Sequence, residues 1–205
     1  PRYLENSIIV SVGTTVLTVV VATPMAYALI RGQVRGARTM VKAMLFAYMF
    51  PALLLVIPID IFLVRLGLDN RLDSLIVASQ SFTLPLAVWL LWSYFKTFPF
   101  AIEEAALVDG CTRWQTLYRI ILPISLPGVV TVVIFSFLLS WAEFVFPMII
   151  TSSDDMRTVT YGLVGIADTY SADWGVLMAG ATLVALPLVV LFMFLGRYFI
   201  RGLSA

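Results

Sequence analysis

Five apolar runs divide this chain, at roughly 7–30, 42–64, 74–95, 124–150 and 176–198. Each meets the length of about 20 residues that crosses the hydrocarbon of a bilayer. A backbone in lipid has no water to bond with, so such runs fold as helices that satisfy their own amides. The expectation is an all-α, polytopic membrane helical bundle with five transmembrane helices, residues 1–205 forming a single transmembrane domain. Composition agrees: 61% of the residues are hydrophobic, 12% are charged and the mean hydropathy is +1.00. That is more apolar surface than one soluble core can hide. Asn6 and Ser7 are placed to cap the first run, Asp73 or Ser74 the third, and Gly32 follows the first where a terminal glycine is expected. Prolines at 24, 51, 58, 85, 147 and 187 are expected to kink or locally unwind the spans.

The same composition removes whole classes of function. With no histidine and one cysteine, Cys111, there is no intrachain disulfide and no His- or Cys-based metal or nucleophile site. No catalytic residue and no metal ligand is assigned. The net charge is +1 and the bases are dispersed, so no nucleic-acid partner is expected. No G-x-x-x-x-G-K-[ST] phosphate loop occurs, so the chain itself is not expected to hydrolyse ATP. It begins at Pro1 with no signal segment, and residues are expected to precede it.

Lysine and arginine set the orientation. With the 31–42 loop inside, nine of the thirteen bases are cytoplasmic: Arg31, Arg35, Arg38, Lys42, Lys96, Arg113, Arg119, Arg197 and Arg201. The segment 96–123 and the C-terminus are then cytoplasmic, while the loop 151–175, with Asp154, Asp155, Asp168 and Asp173, lies outside.

Within 96–123, two short helices are expected. Pro99 opens the first, Glu103 and Glu104 suit the positive end of its dipole, and Gly110 ends it. Thr112 and Gln115 have capping-box spacing, and Trp114, Leu117, Tyr118 and Ile121 recur at helical period before Pro123 closes the second helix. So short a helix is marginal alone, so its small face of Ala101, Ala105, Ala106 and Val108 needs a surface to pack on. A helix lying on lipid headgroups would show bases, whereas this one shows Glu103, Glu104 and Asp109, which anionic lipid repels. The residues favour docking on a protein over a solvated loop.

Glu104-Ala105-Ala106, Gly110 after three residues, and Ile120-Ile121-Leu122-Pro123 after nine more closely resemble the EAA signature, E-A-A-x3-G-x9-I-x-L-P, of permease subunits of binding-protein-dependent ABC importers. Trp141-Ala142-Glu143-Phe144-Val145-Phe146-Pro147 is similar to the W-N-E-F-x-F-P segment of the carbohydrate, maltose-type branch, with Ala142 in place of the usual Asn. Asp173-Trp174-Gly175 and Arg201-Gly202-Leu203-Ser204-Ala205 also resemble that branch.

The resemblance implies a multi-pass protein of a bacterial or archaeal inner membrane, with six helices in the full protein. It implies four kinds of partner besides lipid: a second, non-identical permease, two ATPase subunits, an extracytoplasmic solute-binding protein and a sugar. No cofactor is expected in this chain, ATP and Mg belonging to the partner ATPase. Residues 96–123 become the coupling loop, with Glu103, Glu104, Ala105, Ala106, Asp109 and Gly110 as the ATPase-coupling set. Trp141, Glu143 and Phe144 are expected in the translocation path or its gate, Glu143 either facing the sugar or serving structure. Ser152, Ser153, Asp154, Asp155 and Arg157 are expected to meet the binding protein, unless their loop only plugs the outer vestibule. The alternatives are a permease for a non-sugar solute and an ion-coupled secondary transporter, although no internal repeat supports the latter.

Overall fold

A computed structural model describes residues 2–32, 34–167 and 174–203. Asp168 and Asp173 of the loop expected to lie outside, and Ser204 and Ala205 of the tail, lie outside the described residues. Besides a single 3-10 turn over Asp154–Met156, ten helices follow one another among those described: α1 (Arg2–Arg31), α2 (Ala37–Tyr48), α3 (Ala52–Arg65), α4 (Leu72–Phe95), α5 (Ala101–Val108), α6 (Arg113–Ile124), α7 (Leu126–Trp141), α8 (Val145–Ile150), α9 (Val159–Ala167) and α10 (Trp174–Leu203). Three of them, α1, α4 and α10, are long and apolar enough to cross a membrane unaided, and counting each bent pair as one span gives five.

The bends fall where backbone chemistry puts them. α2 and α3 meet at 99°, so the span expected over 42–64 is broken at Pro51, one of the prolines expected to kink or unwind it. Pro51 has no amide hydrogen to continue the ladder, and it pushes Phe50 out of helical geometry; Pro51 itself sits at φ −59, ψ 125 as the cap of α3. α6 and α7 meet at 81° around Ser125. Pro123 stands one residue before the end of α6, close to where the second short helix was expected to close. In the turns just before it the helix widens to a π turn over Leu117–Ile121, one of the few ways a helix absorbs a lost bond. The expected fourth span, 124–150, ends early at Trp141, and Ala142–Phe144 separate it from α8.

Packing centres on α1, which lies against α4 and α7, while α10 covers α7. Two apolar cores sit at opposite ends of the bundle. One joins Ala22, Ala26, Leu29, Leu91, Phe95, Leu117 and Ile121, and the other joins Val10, Val56, Leu75, Phe146 and Ile150. Between them runs a polar seam. Thr18 Oγ1 donates to Gln80 Oε1 at 2.9 Å and lies 2.9 Å from Thr83 Oγ1, the kind of interhelical bond that holds helices together where lipid supplies no hydrophobic drive. Small residues let the backbones close: a Cβ on Gly128 of α7 would stand 2.7 Å from the Tyr94 ring on α4. Wide apolar faces stay uncovered, with Phe46, Leu53, Leu54, Ile57 and Phe62 on α2 and α3 all at least 60% exposed. Exposure of that extent is the surface lipid or another membrane chain covers.

Candidate functional site

The segment after α4 begins at Lys96, whose ammonium stands over the Trp92 ring. Burial, then the nearby charge of Arg38, lower its pKa below the usual lysine value. The chain then folds as two helices joined by a tight turn, as expected. α5 carries Glu103 and Glu104 in its first turn. Its end is a Schellman turn: Cys111 N–H donates to Ala106 O at 3.0 Å and Gly110 N–H to Leu107 O at 3.1 Å. Gly110 takes φ +84 with open space around its missing Cβ, so conformation and not crowding demands glycine here. The Thr112 capping box is complete, with Gln115 N–H donating to Thr112 Oγ1 at 3.3 Å and Thr112 N–H to Gln115 Oε1 at 2.8 Å.

The two faces of α5 differ from the expected division. Glu104, Ala105, Leu107, Val108 and Asp109 are exposed, Val108 at 87%. Glu103 and Ala106, expected on the docking face, turn inward and are each 3% exposed. Helical period is the reason: 103 and 106 share the side that meets α1, and 104, 105 and 108 share the other. The Glu103 carboxylate pairs with Arg31 Nε at 2.5 Å and accepts from the Tyr27 hydroxyl at 3.0 Å. Arg31 also donates to Phe98 O at 3.3 Å, and Arg113 donates to Arg31 O at 3.1 Å. In α6 the helical stripe splits likewise, Leu117 and Ile121 being buried while Trp114 and Tyr118 stack on the surface with centroids 5.9 Å apart.

Gly110→Val is expected to leave the bundle folded and to disorder the α5–α6 turn, because a β-branched residue at positive φ costs roughly 1–2 kcal/mol. Limited proteolysis should cut between residues 100 and 113 at least about fivefold faster than in wild type.

At the far end of the bundle the expected path residues are engaged in packing and capping. Trp141 is 1% exposed, stacks on Phe137 with centroids 5.5 Å apart and donates from Nε1 to Val184 O at 3.0 Å, while its own carbonyl accepts from Thr160. It thereby ties α7, α9 and α10 together. Glu143 Oε1 accepts the N–H groups of Val145 at 2.8 Å and Phe146 at 3.2 Å, capping α8 across the break. Phe144 meets the Tyr161 ring edge-on at 6.1 Å.

The loop that follows is held by residues from elsewhere. Asn70, at φ 52, a conformation asparagine tolerates, accepts at Oδ1 from Ser152 N–H, Ser153 N–H and Ser153 Oγ at 3.0, 3.1 and 3.1 Å. Tyr3 donates to Asp154 at 2.7 Å, Arg157 pairs with Asp154 at 3.2 Å, and Arg2 pairs with Asp155. Asn6 and Ser7 do not cap α1, which begins at Arg2. They face the loop instead, Asn6 donating to the carbonyls of Asp155 and Arg157, and Ser7 accepting from Val159 N–H. Arg2, Tyr3, Asp154 and Asp155 line an open cleft of about 230 Å³. Tyr27, Arg31, Asn6, Ser7 and Asn70 were not legible as site-builders. The one available signal was an arginine ending an apolar run in a chain with a doubled glutamate.

Residues 69–205 match the family model described as "Binding-protein-dependent transport system inner membrane component". The chain is 36% identical to the inner membrane ABC transporter permease protein YcjP of Escherichia coli (strain K12), covering 99% of this chain and 72% of that one. It is 34% identical to the trehalose/maltose transport system permease protein MalG of Thermococcus litoralis (strain ATCC 51850 / DSM 5473 / JCM 8560 / NS-C), covering 100% and 74%. Its fold is similar to that in the crystal structure of a bacterial ABC transporter involved in import of the polysaccharide alginate, at TM-score 0.79 and 20% identity, over 97% of this chain and 74% of that chain. A polytopic helical bundle, the intact E-A-A-x3-G segment at its end and these likenesses agree: the chain belongs to the family of binding-protein-dependent transport system inner membrane components, the permeases of ABC transporters.

Proposed function

We propose that this chain is the membrane-spanning permease subunit of an ATP-driven sugar importer, forming the translocation path with a second, non-identical permease. The observation that supports it most is the outward face of α5: Glu104, Ala105 and Val108 stand exposed on a helix whose inner face is already fixed to its own chain. A face that is small, apolar and acidic beside a rigid turn suits a groove on a second protein, with a basic group for the carboxylate. In this reading residues 96–123 are cytoplasmic, as is the C-terminus, and α5 seats on one of two ATPase subunits that hold ATP and Mg. Glu104, Ala105 and Asp109 make the contact, Gly110 shapes it, and Glu103 and Ala106 hold the helix to its own bundle.

Residues 151–175 are then the extracytoplasmic loop. Ser152, Asp154 and Asp155 offer polar groups to a solute-binding protein, and Ser153 and Arg157 keep the loop in shape. The break at Ala142–Phe144 is the outer gate, Glu143 acting through the α8 amides and Phe144 through its edge contact, with Trp141 as the packed anchor beside them. Sugar as the solute is supported by the trehalose/maltose permease among the relatives and by the W-x-E-F-x-F-P segment.

The test is uptake of labelled maltose and trehalose into proteoliposomes holding both permeases and the ATPase, with the binding protein inside-out access excluded by one-sided addition. ATP-dependent uptake that needs the binding protein is expected. ATP-dependent uptake of an amino acid instead would move the assignment to a non-sugar solute, and uptake driven by an ion gradient without ATP would replace it by secondary transport.

A further inference from the structure

α1 is one helix of 30 residues, about 45 Å long at 1.5 Å per residue, and it is fastened at both ends to the segments that flank the membrane. At one end Tyr27 and Arg31 grip Glu103 of α5, and Arg113 at the start of α6 holds the last carbonyl of α1. At the other, Arg2, Tyr3, Asn6 and Ser7 hold residues 154–159. The inner fastening is desolvated, the Arg31 and Glu103 side chains being 13% and 4% exposed, and Arg31 further lies 5.0 Å from the Phe100 ring centroid. A surface ion pair between long side chains exchanges freely with water, whereas a buried pair with added hydrogen bonds holds one geometry.

We infer that Glu103, Arg31 and Tyr27 form the joint by which displacement of α5 is passed to α1 as a rigid strut, and by α1 to the loop at 154–159. Resting on the transport reading above, this makes Glu103 a positioning residue with a task distinct from that of its neighbour Glu104. Glu104 faces outward to the partner, and Glu103 turns the partner's motion into motion of the membrane helix. The linkage is reciprocal: occupancy of the outer loop biases α5 by the same path.

The readout is the ratio of ATPase activity with sugar-loaded binding protein to activity without it, in the assembled transporter in proteoliposomes, using maltose or trehalose as the load. Wild type is measured first. If it retains no ATPase, or neither load stimulates it, the transport reading itself fails; once stimulation is present, the variants judge the joint alone. Glu103→Gln is expected to lower the ratio about tenfold. Removing one partner also strands the buried Arg31 charge and so weakens folding. The double variant Arg31→Gln with Glu103→Gln leaves no charge unpaired, so its complex yield should match wild type while the ratio stays low. A double variant with a wild-type ratio overturns the joint, leaving the pair a folding element only. Should neither variant assemble, Tyr27→Phe removes one hydroxyl alone and is expected to lower the ratio about fivefold at unchanged yield; an unchanged ratio there overturns the proposal equally.

Discussion

Glu104→Lys is expected to release the ATPase from the solubilised transporter and to abolish ATP-driven uptake, while the permease itself stays folded. Within its own chain the Glu104 carboxylate makes no hydrogen bond or ion pair among the described residues, and it is exposed. Its reversal therefore disturbs little internally: a lysine in the first turn of α5 opposes the helix dipole by about 0.3–1 kcal/mol, and surface changes away from special features stay near ±0.5 kcal/mol. Against a partner the same change is severe. It removes a charge-assisted bond and sets like charges together where water is excluded, a loss of about 2–5 kcal/mol or more, which is roughly 30-fold or greater in affinity. Co-purification of the ATPase, with thermal unfolding of the permease as control, reads both halves. Retention of the ATPase at wild-type yield would move the docking contact elsewhere.

Trp141→Ala carries the largest expected effect on the fold. Loss of a fully buried indole leaves a cavity among α7, α9 and α10 and strands the Phe137 ring without its stacking partner. Large-aromatic-to-alanine changes in packed interiors cost about 3–5 kcal/mol, a large share of the roughly 5–15 kcal/mol that holds a typical domain folded. Trp141→Phe keeps a ring against Phe137 but drops the bond to Val184 O, so it is expected to cost only about 1 kcal/mol. The check is detergent-solubilised thermal unfolding of both variants followed by size exclusion. If Trp141→Ala unfolds like wild type and alters uptake alone, the residue lines the path and is not an anchor.

What the sequence disclosed and what it withheld have physical causes. Apolar length reveals spans because lipid leaves a backbone few choices: four of the five runs reappear as helices or a bent pair, and the run at 124–150 reappears only as far as Trp141. Local punctuation was also legible: the Thr112 and Gln115 capping box and the Gly110 turn involve residues close together in the chain. The failures are tertiary. Nothing at Glu103 distinguishes it from Glu104 except which side of a two-turn helix meets α1, and that depends on Arg31, 72 positions earlier. Asn6 and Ser7 read as caps because their chemistry suits caps, yet the same groups hold loop amides and carbonyls some 150 residues away. Pro123 reads as a terminator and α6 ends one residue beyond it, whereas the π turn before it left no mark in the sequence. For Glu143 the sequence left open whether it faces solute or serves structure, and the carboxylate is found on the amides of α8.

The central claim is that the exposed face of α5 is covered by an ATPase. The most direct measurement places a photo-crosslinking amino acid at Val108, 87% exposed on that face, and in a separate chain at Val20, 60% exposed midway along α1. Irradiation in native membranes is predicted to join the Val108 probe to a subunit that binds ATP, with adducts lost on Glu104→Lys, while the Val20 probe gives lipid or permease adducts. A Val108 probe that yields the same adducts as Val20, and never an ATP-binding chain, would contradict the account.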